Sequence, residues 1–269
     1  MTHEQTRVRR WEWIALAVIL LLAAALRMGA PGISEFKRDE GNLAQLALDL
    51  THGRDFPLLG LSASVNLPNP PVSVYVIAPP FLLDDNPRTA TLYVGALNVI
   101  AVALTWWLTR RYYGATAALV AILLYAVSPW GAIYARKLWA QDILPPFVLL
   151  TVLTGLLGYI EGKRWARVVH WPLLAITVQI HIGAFTLIPL SLILLWRARA
   201  NITWREFGFA IVLAALTGLP VLAGYAQDDL LNLDVIRERM DSSETDPGYA
   251  LSTTALDHAW MTVAGTEIH

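Results

Sequence analysis

The sequence predicts an all-α protein, a polytopic transmembrane helical bundle whose first outer loop carries a surface helix. Three observations predict it. Of the 269 residues, 56% are hydrophobic and only 15% are charged, and the mean hydropathy is +0.49. Long apolar runs recur along the chain, with short polar turns between them. Basic residues collect at alternate turns, as the positive-inside rule requires of a chain that crosses a membrane repeatedly.

The composition also excludes some classes of function. A net charge of −1 and a pI near 6.6 provide no basic surface for nucleic acid, and the sequence has none of the usual nucleic-acid-binding motifs. The chain has no cysteine, which excludes disulfides and thiolate metal sites. Its 11 tryptophans, several of them near the ends of apolar runs, are typical of interfacial aromatic belts.

The first apolar run covers residues 11–30, and about 20 helical residues cross a hydrocarbon core of about 30 Å. Arg7, Arg9 and Arg10 precede it, which predicts the N-terminus inside and residue 31 onward outside. A cleaved signal peptide is the alternative, but the run is long for one and no small-residue cleavage site leads into a soluble domain. An uncleaved anchor is therefore expected.

The first outer loop opens on a cluster of charges at residues 36–41. Apolar residues then recur at helical spacing from Leu43 to Leu50, which predicts a short helix on the membrane surface. Residues 61–71 are rich in proline and return the chain to the bilayer in an extended form. The next apolar run, residues 72–83, is too short to cross and is expected to be re-entrant or interfacial.

Further spans are predicted at residues 90–108, 115–133, 143–160 and 207–226. The apolar run 168–196 is too long for one upright crossing, at roughly 44 Å if fully helical. Both of its ends are basic, so two short helices that meet near His181 would leave both ends inside. A single strongly tilted helix is the alternative, and it would reverse the sidedness of everything that follows.

These spans bring eight polar residues to the outer face: Arg38, Asp39, Glu40, Asn69, Arg136, Asp142, Gln179 and His181. Each has a purely structural explanation. Asp39 would be the N-cap of the surface helix, Asn69 would precede a helix start, and Asp142 would cap a span. Arg136 and Lys137 would reach lipid headgroups. Gln179 and His181 would form hydrogen bonds between helices. Ionisable groups at membrane depth are costly, however, and they tend to mark function.

The order of several motifs supports a function for these residues. It runs from the Asp39-Glu40 pair through Asn69-Pro70-Pro71 and Ser128-Pro129 to Arg136, Asp142 and Gln179-x-His181. Over residues 15–220 this order and spacing resemble bacterial membrane glycosyltransferases of the dolichyl-phosphate-mannose protein mannosyltransferase and aminoarabinose transferase type, a family 39-like group with the GT-C fold. The chain departs at Asn69, where many members have lysine, and at Leu43, where many have an aromatic residue.

The resemblance implies transfer of a sugar from a polyprenyl-phosphate donor to a lipid, glycan or protein acceptor on the extracytoplasmic face of the inner (plasma) membrane. By this resemblance Asp39 is the catalytic carboxylate, acting as general base, and Glu40 is the second acid. Arg136 is the first candidate for the departing phosphate and Arg38 the second. Asp142 and Glu40 would orient these cations or hold a divalent ion, although no ligand spacing requires a metal. The implied substrate-binding residues are Arg38, Asn69, Arg136, Asp142, Gln179 and His181.

The resemblance also bears on domain organisation. Residues 1–226 are predicted to form the transmembrane glycosyltransferase module, and residues 227–269 an outer, polar tail. Family members usually continue with more spans and an outer domain, so the chain is expected to be an N-terminal part or to need a second chain that completes the fold. A protein that binds or flips a polyprenyl lipid without catalysis is the alternative function. A transporter is disfavoured, because spans 90–108 and 115–133 offer only small polar groups.

Overall fold

The computed structural model describes residues 8–33, 36–63 and 67–241, and in these ranges the chain is helical. The predicted all-α fold is confirmed, since the described residues contain no strand and only one isolated bridge, between Ser62 and Pro68. The helices are α1 (Arg10–Met28), α2 (Arg38–Thr51), α3 (Val72–Ile77), α4 (Pro87–Tyr113), α5 (Ala115–Val127), α6 (Pro129–Tyr134), α7 (Ala140–Gly155), α8 (Arg164–Ile180), α9 (Leu187–Ala198), α10 (Trp204–Thr217), α11 (Leu219–Gln227) and α12 (Leu233–Asp241).

Three helical stretches of the described chain are long and apolar enough to cross a membrane: Arg10–Ile33, Pro87–Tyr113 and Ala140–Ile160. A fourth crossing results if α10 and α11, which bend by 43° where they meet, form one broken span. The protein is therefore a helical membrane protein. The predicted surface helix is also present as α2, and the short run 72–83 forms α3 and a 3₁₀ turn rather than a span.

Contacts between residues far apart in the sequence give the relative direction of α1 and α4. The Glu12 carboxylate of α1 accepts a hydrogen bond from Arg110 Nε of α4 at 2.7 Å. At the other end of the same pair, α4 approaches α1 so closely that a Cβ on Gly95 would lie 3.1 Å from the Arg27 carbonyl oxygen. The two helices are therefore antiparallel. We call the end with Arg110 the basic end, and the end with Arg27, which also carries α2, the loop end.

Residues 115–133, predicted as one span, form two helices. Helix α5 stops at Val127, and Ser128 adopts a non-helical ψ of 120° before α6 begins. Its hydroxyl accepts a hydrogen bond from the Gly131 N–H at 3.3 Å and so caps the new helix. The cause is Pro129, because proline has no N–H and disfavours a helical conformation in the residue before it.

The two-helix arrangement predicted for residues 168–196 is confirmed, and the single tilted helix is wrong. The helical chain breaks at His181, which is extended with φ −155° and ψ 136°. Near the end of α9, Leu194 and Ala198 pack against Tyr159, which lies just before α8 begins. The start of α8 and the end of α9 therefore lie together at the basic end.

The loop end has its own apolar core, which joins helices from distant parts of the sequence. Leu43, Val74, Val94, Ile143 and Ile180 are all 2% exposed or less, and they belong to one cluster. They come from α2, α3, α4, α7 and α8 respectively. The surface helix α2 is therefore fixed to the bundle, because its apolar face is buried there.

The contacts of the chain fall into two compact units, one with residues 1–61 and 69–224 and one with residues 62–68 and 225–269. Within the second unit, the Tyr225 hydroxyl donates a hydrogen bond to the Pro68 carbonyl at 3.2 Å, and Arg239 pairs with Asp228 at 3.7 Å. Part of the tail predicted at residues 227–269 thus forms α12. Residues 242–269 of that tail lie outside the described residues.

Ion pairs at the basic end predict a dependence of stability on pH. Glu161 pairs with Arg111 and accepts a hydrogen bond from the Tyr112 hydroxyl at 2.9 Å. The hydrogen bond from Arg111 lowers the pKa of Glu161 below its usual value. Because the folded-state pKa is lowered, this stabilisation is present above the unfolded-state pKa of about 4.3 and is lost as the pH falls through the folded-state pKa.

We therefore expect the thermal midpoint in detergent to fall more between about pH 5 and pH 3 for the wild type than for Glu161→Gln, because the amide cannot be protonated. Differential scanning fluorimetry of both proteins across this range measures the difference. Equal losses in the two proteins would show that the pair adds no pH-dependent stability.

Candidate active site

The charged residues that begin α2 divide between the core and the solvent. Lys37 is the N-cap, and its N–H donates to Glu40 Oε2 at 3.0 Å. Glu40 is only 4% exposed, whereas Asp39 is exposed. The expectation that Asp39 would be the N-cap is wrong, because Glu40 satisfies the orphan backbone donor of the first turn instead.

Lys137, in the connection between α6 and α7, lies beside the buried Glu40. Its Nζ is 4.0 Å from Glu40 Oε1, and it stands over the rings of Tyr134 and Trp139 at 5.9 and 5.6 Å from their centroids. The side chain is 15% exposed. The ion pair and the two cation–π contacts fix the ammonium group at the junction of α2 with α7.

Asp142 completes this group from the first turn of α7. It is 5% exposed, and both Lys137 and Glu40 lie near enough to act on its charge. Within the described ranges, its Oδ2 atom has no hydrogen-bond partner. We call Glu40, Lys137 and Asp142 the Lys137 cluster. It holds two carboxylates and one ammonium group in a mostly dry environment, where charges interact more strongly than in water.

Two arginines at the loop end cap helix C-termini. Arg136 donates from Nη2 to the carbonyl of Leu26 in the last turn of α1. Arg27, 1% exposed, donates from Nη1 to the Ala126 carbonyl and from Nη2 to the Tyr125 carbonyl, both at 2.8 Å. The last carbonyls of a helix lack helical partners, and cations there also favour the helix dipole. These contacts explain why basic residues occur at the loop end, where the positive-inside rule predicts few of them.

The other predicted binding residues have local partners. The Asn69 side chain donates to the Leu61 carbonyl at 2.8 Å and so stabilises the returning outer loop. Gln179 donates to Thr217 Oγ1 at 3.1 Å and to its own helix, and its Oε1 has no partner among the described residues. His181 Nδ1 accepts from the Gly183 N–H at 3.1 Å, which supports the break between α8 and α9.

The structure thus brings together only part of the predicted site. Glu40 lies 4.0 Å from Lys137, and Asp142 lies within electrostatic reach of both. Arg38 and Asp39 lie on the exposed side of the helical turn that carries Glu40. Sequence reasoning missed Lys137 as a site residue. The available signal was the Arg136-Lys137 pair, which lies at the end of the bundle opposite to that expected for basic residues. Of this pair, only Arg136 was predicted to be a site residue.

The divalent ion that the sequence allows at Asp142 and Glu40 stays a prediction. The described residues contain no group of three or more His, Asp or Glu side chains that could hold one. The two buried carboxylates, those of Glu40 and Asp142, lie near the ammonium group of Lys137, which supplies a positive charge there.

With this geometry established, the comparison with protein families becomes informative. The family model of dolichyl-phosphate-mannose-protein mannosyltransferases matches residues 68–224, which is more than half of the chain. The chain belongs to this family. It is accordingly a membrane glycosyltransferase of the GT-C type. No curated protein and no solved structure matches the chain.

The mannosyltransferase match does not cover every candidate residue. It includes Asn69, Arg136, Asp142, Gln179 and His181, together with Lys137 (residues 68–224). The first outer loop, with Asp39 and Glu40, precedes it. The 4.0 Å contact from Glu40 to Lys137 joins that loop to the matched region, as does the buried apolar face of α2.

Proposed function

We propose that the protein transfers a sugar from a polyprenyl-phosphate donor to an acceptor hydroxyl or amine on the extracytoplasmic face of the plasma (inner) membrane, with Asp39 as general base. The observation that best supports this proposal is the position of Asp39. Its carboxylate is exposed, and among the residues that the structure describes it has no ion pair or hydrogen bond. The neighbouring Glu40, in contrast, is buried against Lys137.

Asp39 is suited to take a proton from an approaching acceptor. An acceptor O–H or N–H loses its proton to the carboxylate as its oxygen or nitrogen forms a bond to the anomeric carbon of the sugar. The bond between that carbon and the phosphate oxygen breaks at the same time. The products are the glycosylated acceptor and a polyprenyl phosphate with one more negative charge than the donor, and the proton remains on Asp39.

The departing phosphate needs a nearby positive charge. Arg136 is the first candidate, because its guanidinium lies at the loop end, and Arg38, in the first turn of α2, is the second. Lys137 adds a third cation in the same region. The family description names a dolichyl-phosphate-linked mannose, which supports a donor of this lipid-phosphate class. Its prenyl chain would lie in the bilayer beside the spans.

The role of Arg136 can be tested by donor binding. We expect Arg136→Ala to weaken binding of a short-chain polyprenyl-phosphate mannose by at least about 10-fold, because a hydrogen bond between charged groups contributes about 1.5–3 kcal/mol. Binding to the detergent-purified protein is measured by microscale thermophoresis. Arg110→Ala is the matched control, since Arg110 pairs with Glu12 at the basic end, and it is expected to leave binding within about twofold. Equal losses in the two variants would remove Arg136 as the phosphate contact.

A direct transfer assay tests the function itself. Purified protein in lipid nanodiscs is supplied with labelled polyprenyl-phosphate mannose and with candidate acceptors of the three classes, lipid, glycan and peptide. Release of polyprenyl phosphate together with a labelled acceptor is the expected result. Binding of the donor with no release in the presence of any acceptor class would instead favour a lipid-binding or lipid-flipping protein.

A further inference from the structure

Helix α7 has an unusual first half, because Pro145 and Pro146 lie inside it. A proline has no N–H, so the carbonyl four residues earlier cannot receive its helical hydrogen bond. For Pro146 that carbonyl belongs to Asp142. The backbone of a residue in the Lys137 cluster therefore lacks its normal partner within the helix.

A side chain of another span supplies the missing bond. Asn98 of α4, which is 4% exposed, donates from Nδ2 to the Asp142 carbonyl at 2.7 Å and to its own Val94 carbonyl at 3.0 Å. In a membrane, carbonyls freed by proline are costly unless a neighbouring helix satisfies them. Pro146 removes a hydrogen bond within α7, and Asn98 replaces it with a hydrogen bond between α4 and α7.

This replacement ties the first turn of α7 to α4. A backbone that is not closed by its own helical bond takes its position from whatever binds it, which here is the amide of a neighbouring span. The carboxylate of Asp142 is on that same residue, within electrostatic reach of Lys137 and Glu40. A shift of the backbone would move the carboxylate away from the ammonium group.

We propose that Asn98 is a positioning residue, which fixes the first turn of α7 through the carbonyl freed by Pro146 and so holds the Asp142 carboxylate in the Lys137 cluster. This inference rests on the proposed function, because only sugar transfer gives the Lys137 cluster a catalytic context. Asn98 itself touches no reacting atom. It acts only through Asp142.

Substitutions at Asn98 and at Pro146 can be combined, so that the second restores the activity lost in the first. Asn98→Ala removes the bond to the Asp142 carbonyl, and we expect kcat to fall at least about 10-fold with the donor KM within about twofold, because small misplacements in an active site have large effects. Pro146→Ala supplies a backbone N–H that can reach the same carbonyl, and alone it should leave kcat within about twofold. The double variant should recover kcat to within about threefold of the wild type, since α7 can then close its own bond.

Stability separates positioning from simple packing. Asn98→Ala leaves a small cavity in either background, and with Pro146 it also leaves the Asp142 carbonyl without its bond, so the thermal midpoint should fall in both and further with Pro146. The part of the loss that comes from the cavity should remain in the double variant, whereas kcat should recover. Thr105→Val is the control on the same helix, because the Thr105 hydroxyl bonds the Ala101 carbonyl within α4 at 2.9 Å, and kcat should be unchanged.

Acetylation of Lys137, followed by mass spectrometry, gives a measure that does not depend on transfer. The rate of Lys137 acetylation should be higher in Asn98→Ala than in the wild type, and it should return to the wild-type value in the double variant. A wild-type kcat in Asn98→Ala, or a double variant as slow as Asn98→Ala, would overturn the inference. Asp39→Asn is assayed alongside. If it turns over normally while rescue of kcat and labelling is seen, the proposed base is wrong and the positioning role stands.

Discussion

Asp39→Asn is expected to lower sugar transfer by at least about 100-fold, because an amide cannot accept the acceptor's proton and general-base catalysis contributes about 10²–10⁴. The change keeps the size of the side chain. The carboxylate is exposed and has no ion pair with the described residues, so the thermal midpoint should not change. Initial rates with labelled polyprenyl-phosphate mannose, on protein shown to be folded by size exclusion, measure the effect.

Asp55→Asn is the matched control, since Asp55 is another exposed carboxylate of the same outer segment and should retain the wild-type rate. Donor binding should be similar in both variants, because Asp39 acts on the acceptor. Unchanged turnover in Asp39→Asn would remove it as the base. Unchanged donor binding, in a protein that transfers to no acceptor at all, would favour the alternative of lipid binding or flipping.

Lys137→Met should have the second-largest effect, on stability as well as on transfer. The substitution preserves the bulk of the side chain but removes the ammonium group beside two carboxylates that are 4% and 5% exposed. Removal of one partner of a buried pair costs about 3 kcal/mol, because the other charge stays buried without compensation. We expect a lower thermal midpoint and a transfer rate reduced at least about 10-fold, as the turn that carries Asp39 loses its anchor.

A second substitution distinguishes the two effects of Lys137. Lys137→Met combined with Glu40→Gln removes both charges of the pair, and much of the lost stability should return, since replacing a whole buried pair is often neutral. Transfer should stay low, because the cluster is still missing. Lys163→Met, at an exposed position of the basic end, is the control. A Lys137→Met protein as stable and as active as this control would mean that the cluster has no role.

Much of the fold could be predicted from the sequence, because hydrophobic period and length determine where helices lie. The helix α2, the short run at 72–83 that does not span and the break at His181 all follow from local patterns. The break of α5 at Ser128-Pro129 also has a local cause, because the residue before proline is disfavoured in a helix.

The site was predictable only in part, because its contacts join residues far apart in the chain. The polar residues that share the loop end could be found from topology, but their partners could not. Nothing local indicates that Glu40 meets Lys137 or that Arg136 caps α1. The bond from Asn98 to the Asp142 carbonyl combines a proline effect, which is local, with a contact between two spans, which is not.

The antiparallel pairing of α1 with α4 and the contact of α2 with the α6–α7 connection limit how the protein can be divided. An expression boundary placed at Pro68, where the family match begins, would keep every matched residue. It would also remove Glu12 and Glu40, which are carboxylate partners of Arg110 and Lys137. Two cations would lose these partners at opposite ends of the bundle. The smallest piece worth expressing therefore begins before α1, well ahead of the segment by which the family is recognised.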